Sequence, residues 1–175
     1  MAIHKIVYFP DDPLTLRARN VEIFGEKVQR LIDDMLETMR AHEGVGLAAP
    51  QIGLRRRVFV AQEPEADPIA FVNPEIISME GSEEGEEGCL SMPGIYAKVP
   101  RATRLLVRAQ EPTGEAFEME AEDFLARIIQ HETDHLNGIL FPERLDLLTR
   151  QDKLDEWARR REQIIAEQSA GHAPQ

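Results

Sequence analysis

The sequence predicts an α+β fold built on an antiparallel sheet. Three observations carry that expectation. Apolar residues recur at helical spacing in three stretches, near 25–42, 121–137 and 149–168. Short runs rich in β-branched and aromatic residues lie between the first two of these. Turn signals separate the runs, and the order helix, several strands, helix, helix is that of an α+β chain. With 175 residues, no repeat and no dividing linker, one domain over residues 1–168 is expected, followed by a polar, disordered tail at 169–175.

After an irregular start, Val28, Leu31, Ile32, Met35, Leu36 and Met39 form one apolar stripe, so a core-building helix is expected over about Gly25–His42. Gly44–Gly53, GVGLAAPQIG, mixes glycines, small residues and a proline and reads as a loop entering a short extended segment. RVFVA (Arg57–Ala61) and IAFVN (Ile69–Asn73) read as strands around the turn EPEADP. GSEEGEEG (Gly81–Gly88) is acidic and glycine-rich and reads as a solvated loop, with an extended segment starting after Cys89. Arg104–Ala109 and Ala116–Glu120 flank EPTG as a hairpin. Ala121–Asn137 carries Phe124, Leu125, Ile128, Ile129 and Leu136 at helical spacing, with Gly138 as its stop. From 149 to 168, Leu154, Trp157, Ile164 and Ile165 mark another amphipathic helix.

Acidic residues outnumber basic ones by 32 to 20, a net charge of −12. Such a surface repels phosphate backbones, so no direct nucleic-acid substrate is expected, although a local basic patch could still work. No apolar run reaches the length of a signal peptide or a membrane span, so a cytoplasmic protein without membrane contact is expected. Cys89 is the single cysteine. An intramolecular disulfide is therefore impossible, and the thiol is a buried apolar residue, a nucleophile or a metal ligand.

The stretch with the most chemistry is His131-Glu132-Thr133-Asp134-His135. Residues i and i+4 lie on one helix face, so His131 and His135 can aim two nitrogens at one ion. Glu132, about 100° around the axis, can reach water beside that ion. This is the HExxH arrangement of metal-dependent hydrolases, in which the glutamate is the general base. Two imidazoles do not complete a site. The pattern HExxHxxGxxH nearly fits, with Gly138 at the glycine, but Phe141 stands at its last position and cannot coordinate. Glu143, Glu156 and Glu162 sit in ordinary charged surroundings. Cys89 is the remaining soft ligand, and one thiolate with two imidazoles leaves a position open, as a catalytic site requires.

Three segments together resemble the peptide deformylase family. Gly44–Gln51 (GVGLAAPQ) is similar to its first motif, Glu87-Gly88-Cys89-Leu90-Ser91 to its second and Gln130–His135 to its third, in the family's order. The resemblance runs from Pro10-Asp11 through Arg144-Leu145, and the last thirty or so residues resemble the long C-terminal helix of one family branch. Asp123 stands where many members have glycine, and Gly85 where some have an apolar pocket residue.

The resemblance implies antiparallel sheets packed around a central metal-binding HExxH helix, and removal of the N-formyl group from the initiator methionine of nascent polypeptides, releasing formate. It implies one divalent metal ion, natively Fe2+, for which Zn2+, Ni2+ or Co2+ can substitute, held by Cys89, His131 and His135. Glu132 is implied as base and then acid, with the Gln51 amide and the Leu90 N–H as donors to the oxyanion. A formylmethionyl peptide is implied to lie as an added strand where Gly44 and Gly46 keep the approach clear. Its methionine side chain would meet Val45, Leu90, Phe124 and Ile128. Glu87 and Arg101 are expected to pair and tie the Cys89 loop to the next segment. The C-terminal helix, with Arg150, Lys153, Arg159, Arg160 and Arg161, is implied to dock on the ribosome. A metal-dependent endopeptidase and a metal or redox sensor built on Cys89 are the rival classes.

Overall fold

The structure, a computed structural model, describes residues 2–171. Helix α1 spans Glu26–Ala41. Strands β1 (Gly46–Ala48), β2 (Val58–Ala61), β3 (Ile69–Glu80), β4 (Glu83–Gly88), β5 (Tyr96–Arg101), β6 (Arg104–Gln110) and β7 (Ala116–Glu122) follow. Helices α2 (Asp123–Leu136) and α3 (Leu147–Ala170) close the chain. Of the expected tail, Ser169 and Ala170 belong to α3, Gly171 ends it, and 172–175 lie outside the described residues.

The sheets are antiparallel: five strands in the order β1-β2-β3-β6-β7, and a separate β4-β5 pair. β2 shows why its sequence is apolar throughout. Val58 and Val60 face the cluster of Val28, Ile32, Met35 and Met39 from α1, while Phe59 and Ala61 face Ile128, Ile129 and Leu136 from α2. Side chains alternate across a strand, so a strand covered on both faces has no polar position. The α1 stripe at 28, 32, 35 and 39 is thus core, as its spacing requires. A third cluster joins Leu14, Met92, Ile95, Val99, Phe141 and Trp157, anchoring α3 and the N-terminal segment beside β5.

Two elements depart from the sequence reading. GSEEGEEG is no solvated loop: Glu83–Gly88 pairs residue for residue with Tyr96–Arg101. Glycine and glutamate disfavour strands, but here Glu87 is buried against Arg101 and Gly85 and Gly88 make room for Arg127 and Tyr96. The extended run therefore precedes Cys89, and a turn follows it. β3 also continues past Asn73 for seven residues, through a bulge at Asn73-Pro74 where Asn73 takes φ 49°.

At the start of α2, Asp123 also adopts a left-handed φ of 49°. Glycine is the usual occupant of that region and Asp among the few side chains that tolerate it. Gly138, at φ 75°, ends the helix against the Thr15 backbone, where a Cβ would lie 2.8 Å from Thr15 O.

Candidate active site

α2 runs between the two sheets and presents His131 and His135 on one face. His135 Nε2 lies 3.2 Å from His131 Nε2 and 3.3 Å from Cys89 Sγ, the latter delivered from the end of β4. The three candidate ligand atoms all lie within 4.8 Å of one another. His135 is fully buried, His131 and Cys89 partly so. Phe141, at the third-ligand position of the longer HExxH pattern, instead packs beside His131, with ring centroids 6.3 Å apart.

His131 Nδ1 lies 2.8 Å from Glu87 Oε1. That carboxylate holds the proton on Nδ1 and leaves the Nε2 lone pair facing His135 Nε2 and Cys89 Sγ. Three donor atoms thus converge at the base of the site, and a shared cation resolves their repulsion. Zinc-type bond lengths of about 2.0–2.3 Å place such donors roughly 3.3–3.6 Å apart. The donor set fits a divalent metal ion.

Behind the donors stands a buried charge network. Arg101 grips Glu87 with two hydrogen bonds, at 2.8 and 2.9 Å, and reaches Asp134 at 2.7 Å. Arg127 adds a contact of 2.7 Å to Glu87, and Arg144 clamps Asp134. Burial by itself would raise the Glu87 carboxyl, but the hydrogen bonds from Arg101 and His131 overcome it and hold the pKa at about 2. Glu87 thus stays ionised at every working pH and ties β4, β5 and α2 to one point.

Glu132 behaves in the opposite way. Burial, the largest influence, pushes its pKa up to about 7, with the Glu87 charge adding to the rise and the His131 charge opposing it. Its Oε2 is buried without a hydrogen-bond partner among the described residues. A carboxyl poised near neutrality, with one oxygen uncommitted, suits proton transfer.

Gln51 sits in the short 3-10 turn Ala49–Ile52 after β1. Its Oε1 accepts from the Ala48 N–H at 2.9 Å, which turns Nε2 toward Ser91 Oγ at 3.2 Å and Cys89 Sγ at 3.6 Å. The Leu90 N–H, in the turn after Cys89, donates to no group among the described residues.

These groups open onto a pocket of about 450 Å3. Gly44, Val45 and Gly46 form one wall, Glu86–Gly88 and Leu90 another, and Phe124, Ile128, His131 and Glu132 of α2 the third. Every ligand, catalytic and substrate-contact residue singled out in the sequence therefore lines this pocket or, for His135, lies directly behind it, whereas Arg101 stands outside the lining. Val45 and Phe124 are 37% and 43% exposed, apolar surface that a ligand would cover. Sequence reading missed Arg127, Ser91 and Tyr96. Arg127 lies one turn before His131 on α2, and that spacing could have flagged it. It binds the carbonyls of Glu83, Gly85 and Val99 over Gly85, where an added Cβ would meet the guanidinium at 2.8 Å. The pocket wall at Gly85 is thus filled by an arginine from the helix.

The polypeptide deformylase family matches residues 3–151, ending early in α3. A peptide deformylase of Chromobacterium violaceum is 48% identical over 153 residues, covering 86% of this chain and 92% of that relative. A crystal structure of a peptide deformylase from Legionella pneumophila superposes with a TM-score of 0.83 at 47% identity, covering 91% of this chain and 98% of the other. The peptide deformylase of Thermus thermophilus gives 0.84 at 47% identity, with 88% and 92% covered.

Proposed function

The chain belongs to the polypeptide deformylase family and is a metal-dependent hydrolase that removes the N-formyl group from the initiator methionine of nascent polypeptides; we propose that Cys89, His131 and His135 hold its single metal ion. The convergence of their three donor atoms within 4.8 Å, beside the buried Glu132, carries this assignment. A divalent cation bound there supplies Lewis acidity, polarising the formyl carbonyl and making water a stronger acid. Glu132 takes the proton from the attacking water and returns it to the departing methionine amine, leaving formate. Gln51 Nε2, aimed by the Ala48 N–H, and the free Leu90 N–H donate to the oxyanion as it develops.

The nascent chain lies between the open edge of β1 and the outer edge of β4, both of which border the pocket. Backbone hydrogen bonds along such edges accept many sequences. Val45, Leu90, Phe124 and Ile128 surround the methionine side chain. Fe2+ as the native ion rests on the family resemblance, since the same donors suit Zn2+ and accommodate Ni2+ or Co2+. Residues 1–168 act as one catalytic domain in the cytoplasm, where nascent chains are made. Among the described residues no helix is long and apolar enough to cross a membrane.

Docking of α3 on the ribosome rests on narrower ground. Arg150 is committed to the carbonyls of Pro142, Glu143 and Leu145, Lys153 to Glu156, and Arg161 to Asp11, which leaves Arg159 and Arg160 with Leu147 and Leu148 as the outward features. Trp157 is buried, so a truncation that spares the core must begin after Ile164.

Formate release from a formyl-methionyl peptide by anaerobically purified protein, with and without a chelator, tests the whole reading. Chelator-sensitive release with one metal per chain is expected. Internal cleavage of unblocked peptides would favour the endopeptidase, and metal binding without hydrolysis the sensor.

A further inference from the structure

A second polar site lies behind α2, and most of its arginines stand outside the charge network that holds Glu87 and Asp134. Phe124, Ile128, His131 and Glu132 turn toward the catalytic pocket, whereas Thr133, Asp134 and Asn137 line a separate cleft of about 630 Å3. That cleft meets another, of about 980 Å3, at Arg17, Asn20 and Arg57. Their walls carry seven arginines against three acidic residues, in a chain of net charge −12.

The backbone concentrates these arginines. Segments 17–19 and 55–57 are zipped together by Arg19 N–H donating to Arg55 O at 3.1 Å and Arg57 N–H to Arg19 O at 2.9 Å. Arg55 Nε also donates to Arg17 O, at 2.7 Å. Counter-charge does not follow them. Asp134 is taken by Arg101 and Arg144. Among the described residues, Arg17, Arg19, Arg55, Arg56 and Arg57 form no ion pair.

Arg57 is the sharpest case, being only 7% exposed. Its two terminal nitrogens donate to neutral acceptors, Leu136 O at 2.9 Å and Asn137 Oδ1 at 3.1 Å. Burial lowers its pKa, and the neighbouring Arg17 charge lowers it further. The negative end of α2 offsets part of that cost, with about half a charge. It does nothing for the four exposed arginines alongside. In the same wall the buried Thr133 Oγ1 has no hydrogen-bond partner among the described residues. An anion seated between these groups relieves repulsion that the folded chain otherwise carries.

We propose that this double cleft binds a chain of phosphate groups, one seated between Arg17 and Arg57 and others following Arg19, Arg55 and Arg56 outward. Guanidinium forks match phosphate oxygens in pairs. Among the described residues no aromatic side chain lines either cleft, so the site grips phosphates rather than stacked bases. The source is either an RNA backbone or a free oligophosphate.

The test uses the full-length, metal-loaded protein. Binding of a fluorescein-labelled oligouridylate is followed by anisotropy, and of inorganic tripolyphosphate by calorimetry, across a salt series. The variant Arg17→Gln/Arg19→Gln/Arg56→Gln should bind at least about tenfold more weakly, with a shallower salt dependence. Its formate release should be unchanged. The charge-matched control Arg30→Gln/Arg104→Gln/Arg108→Gln, whose arginines pair with surface glutamates, should bind as wild type does. RNA binding displaced by tripolyphosphate identifies a phosphate backbone as ligand, and tripolyphosphate binding alone a free oligophosphate. No saturable binding of either probe at low salt overturns the proposal. So does equal weakening in the control, or RNA binding that tripolyphosphate does not displace.

Discussion

Gly46 and Glu132 compete for one volume: a Cβ on residue 46 would stand 2.6 Å from Glu132 Oε1. No side chain fits there unless Glu132 moves, so the bare backbone of β1 decides where the carboxylate of α2 rests. Gly46→Ala should push Glu132 aside and lower kcat by about 100-fold, the scale of a small misplacement of a reacting group. Metal content should not change. Wild-type kcat in that variant would show that Glu132 has room to spare.

Glu132→Gln should keep the metal and lose nearly all turnover, because the amide cannot accept a proton. A second readout comes from linkage. The Glu132 carboxyl is raised from an ordinary 4.5 to about 7, chiefly by burial. A carboxyl raised in the folded state subtracts stability as pH climbs from its unfolded to its folded pKa. Once metal is removed, the native chain should lose about 3 kcal/mol relative to the Gln variant between pH 4 and 8. Bound metal should shrink this difference, since a nearby cation favours the ionised form. Parallel denaturation curves for the two apo-proteins at all pH values would refute the shifted pKa.

Removing the Gln51 amide, as in Gln51→Ala, should cost roughly 3 kcal/mol of transition-state stabilisation, about 100-fold in kcat. Stopped assays at saturating substrate read this directly. A loss appearing in KM alone would assign Gln51 to substrate binding rather than to the oxyanion.

Glu87→Gln removes the shared anion of Arg101, Arg127 and His131. The variant should bind metal about 10- to 100-fold more weakly. It should also be destabilised by about 3–5 kcal/mol, because Arg101 is left buried beside a weaker partner. Arg101→Met should be costly for the same reason. A double variant no worse than either single one is expected from urea melts, whereas strict additivity would show the two side chains to be independent.

Trp157→Ala should destabilise the chain by about 3–5 kcal/mol, since the ring is buried against Tyr8 and its Nε1 donates to Phe9 O at 2.9 Å. A truncation after Ile164 should leave the melting temperature nearly unaltered. If both variants melt alike, α3 is an appendage rather than part of the core.

Periodicity and motif spacing in the sequence determined a good deal here. The stripes on α1 and α2 are visible because a helix buried on one face must repeat its apolar residues every three to four positions. The same local rule put His131 and His135 on one face and Glu132 beside them, and the absence of other cysteines pointed to Cys89. Tertiary structure decided what local rules do not encode. The acidic run Glu83–Gly88 became a strand because Arg101 and Arg127, distant in sequence, neutralise Glu87, while Arg127 and Tyr96 occupy the space its glycines leave. Gly46 became a wall of the site because α2 packs against β1, a contact between residues far apart along the chain. The cationic clefts likewise exist only because segments 17–19 and 55–57 meet, since the charge of an isolated sequence window says nothing about which windows become neighbours.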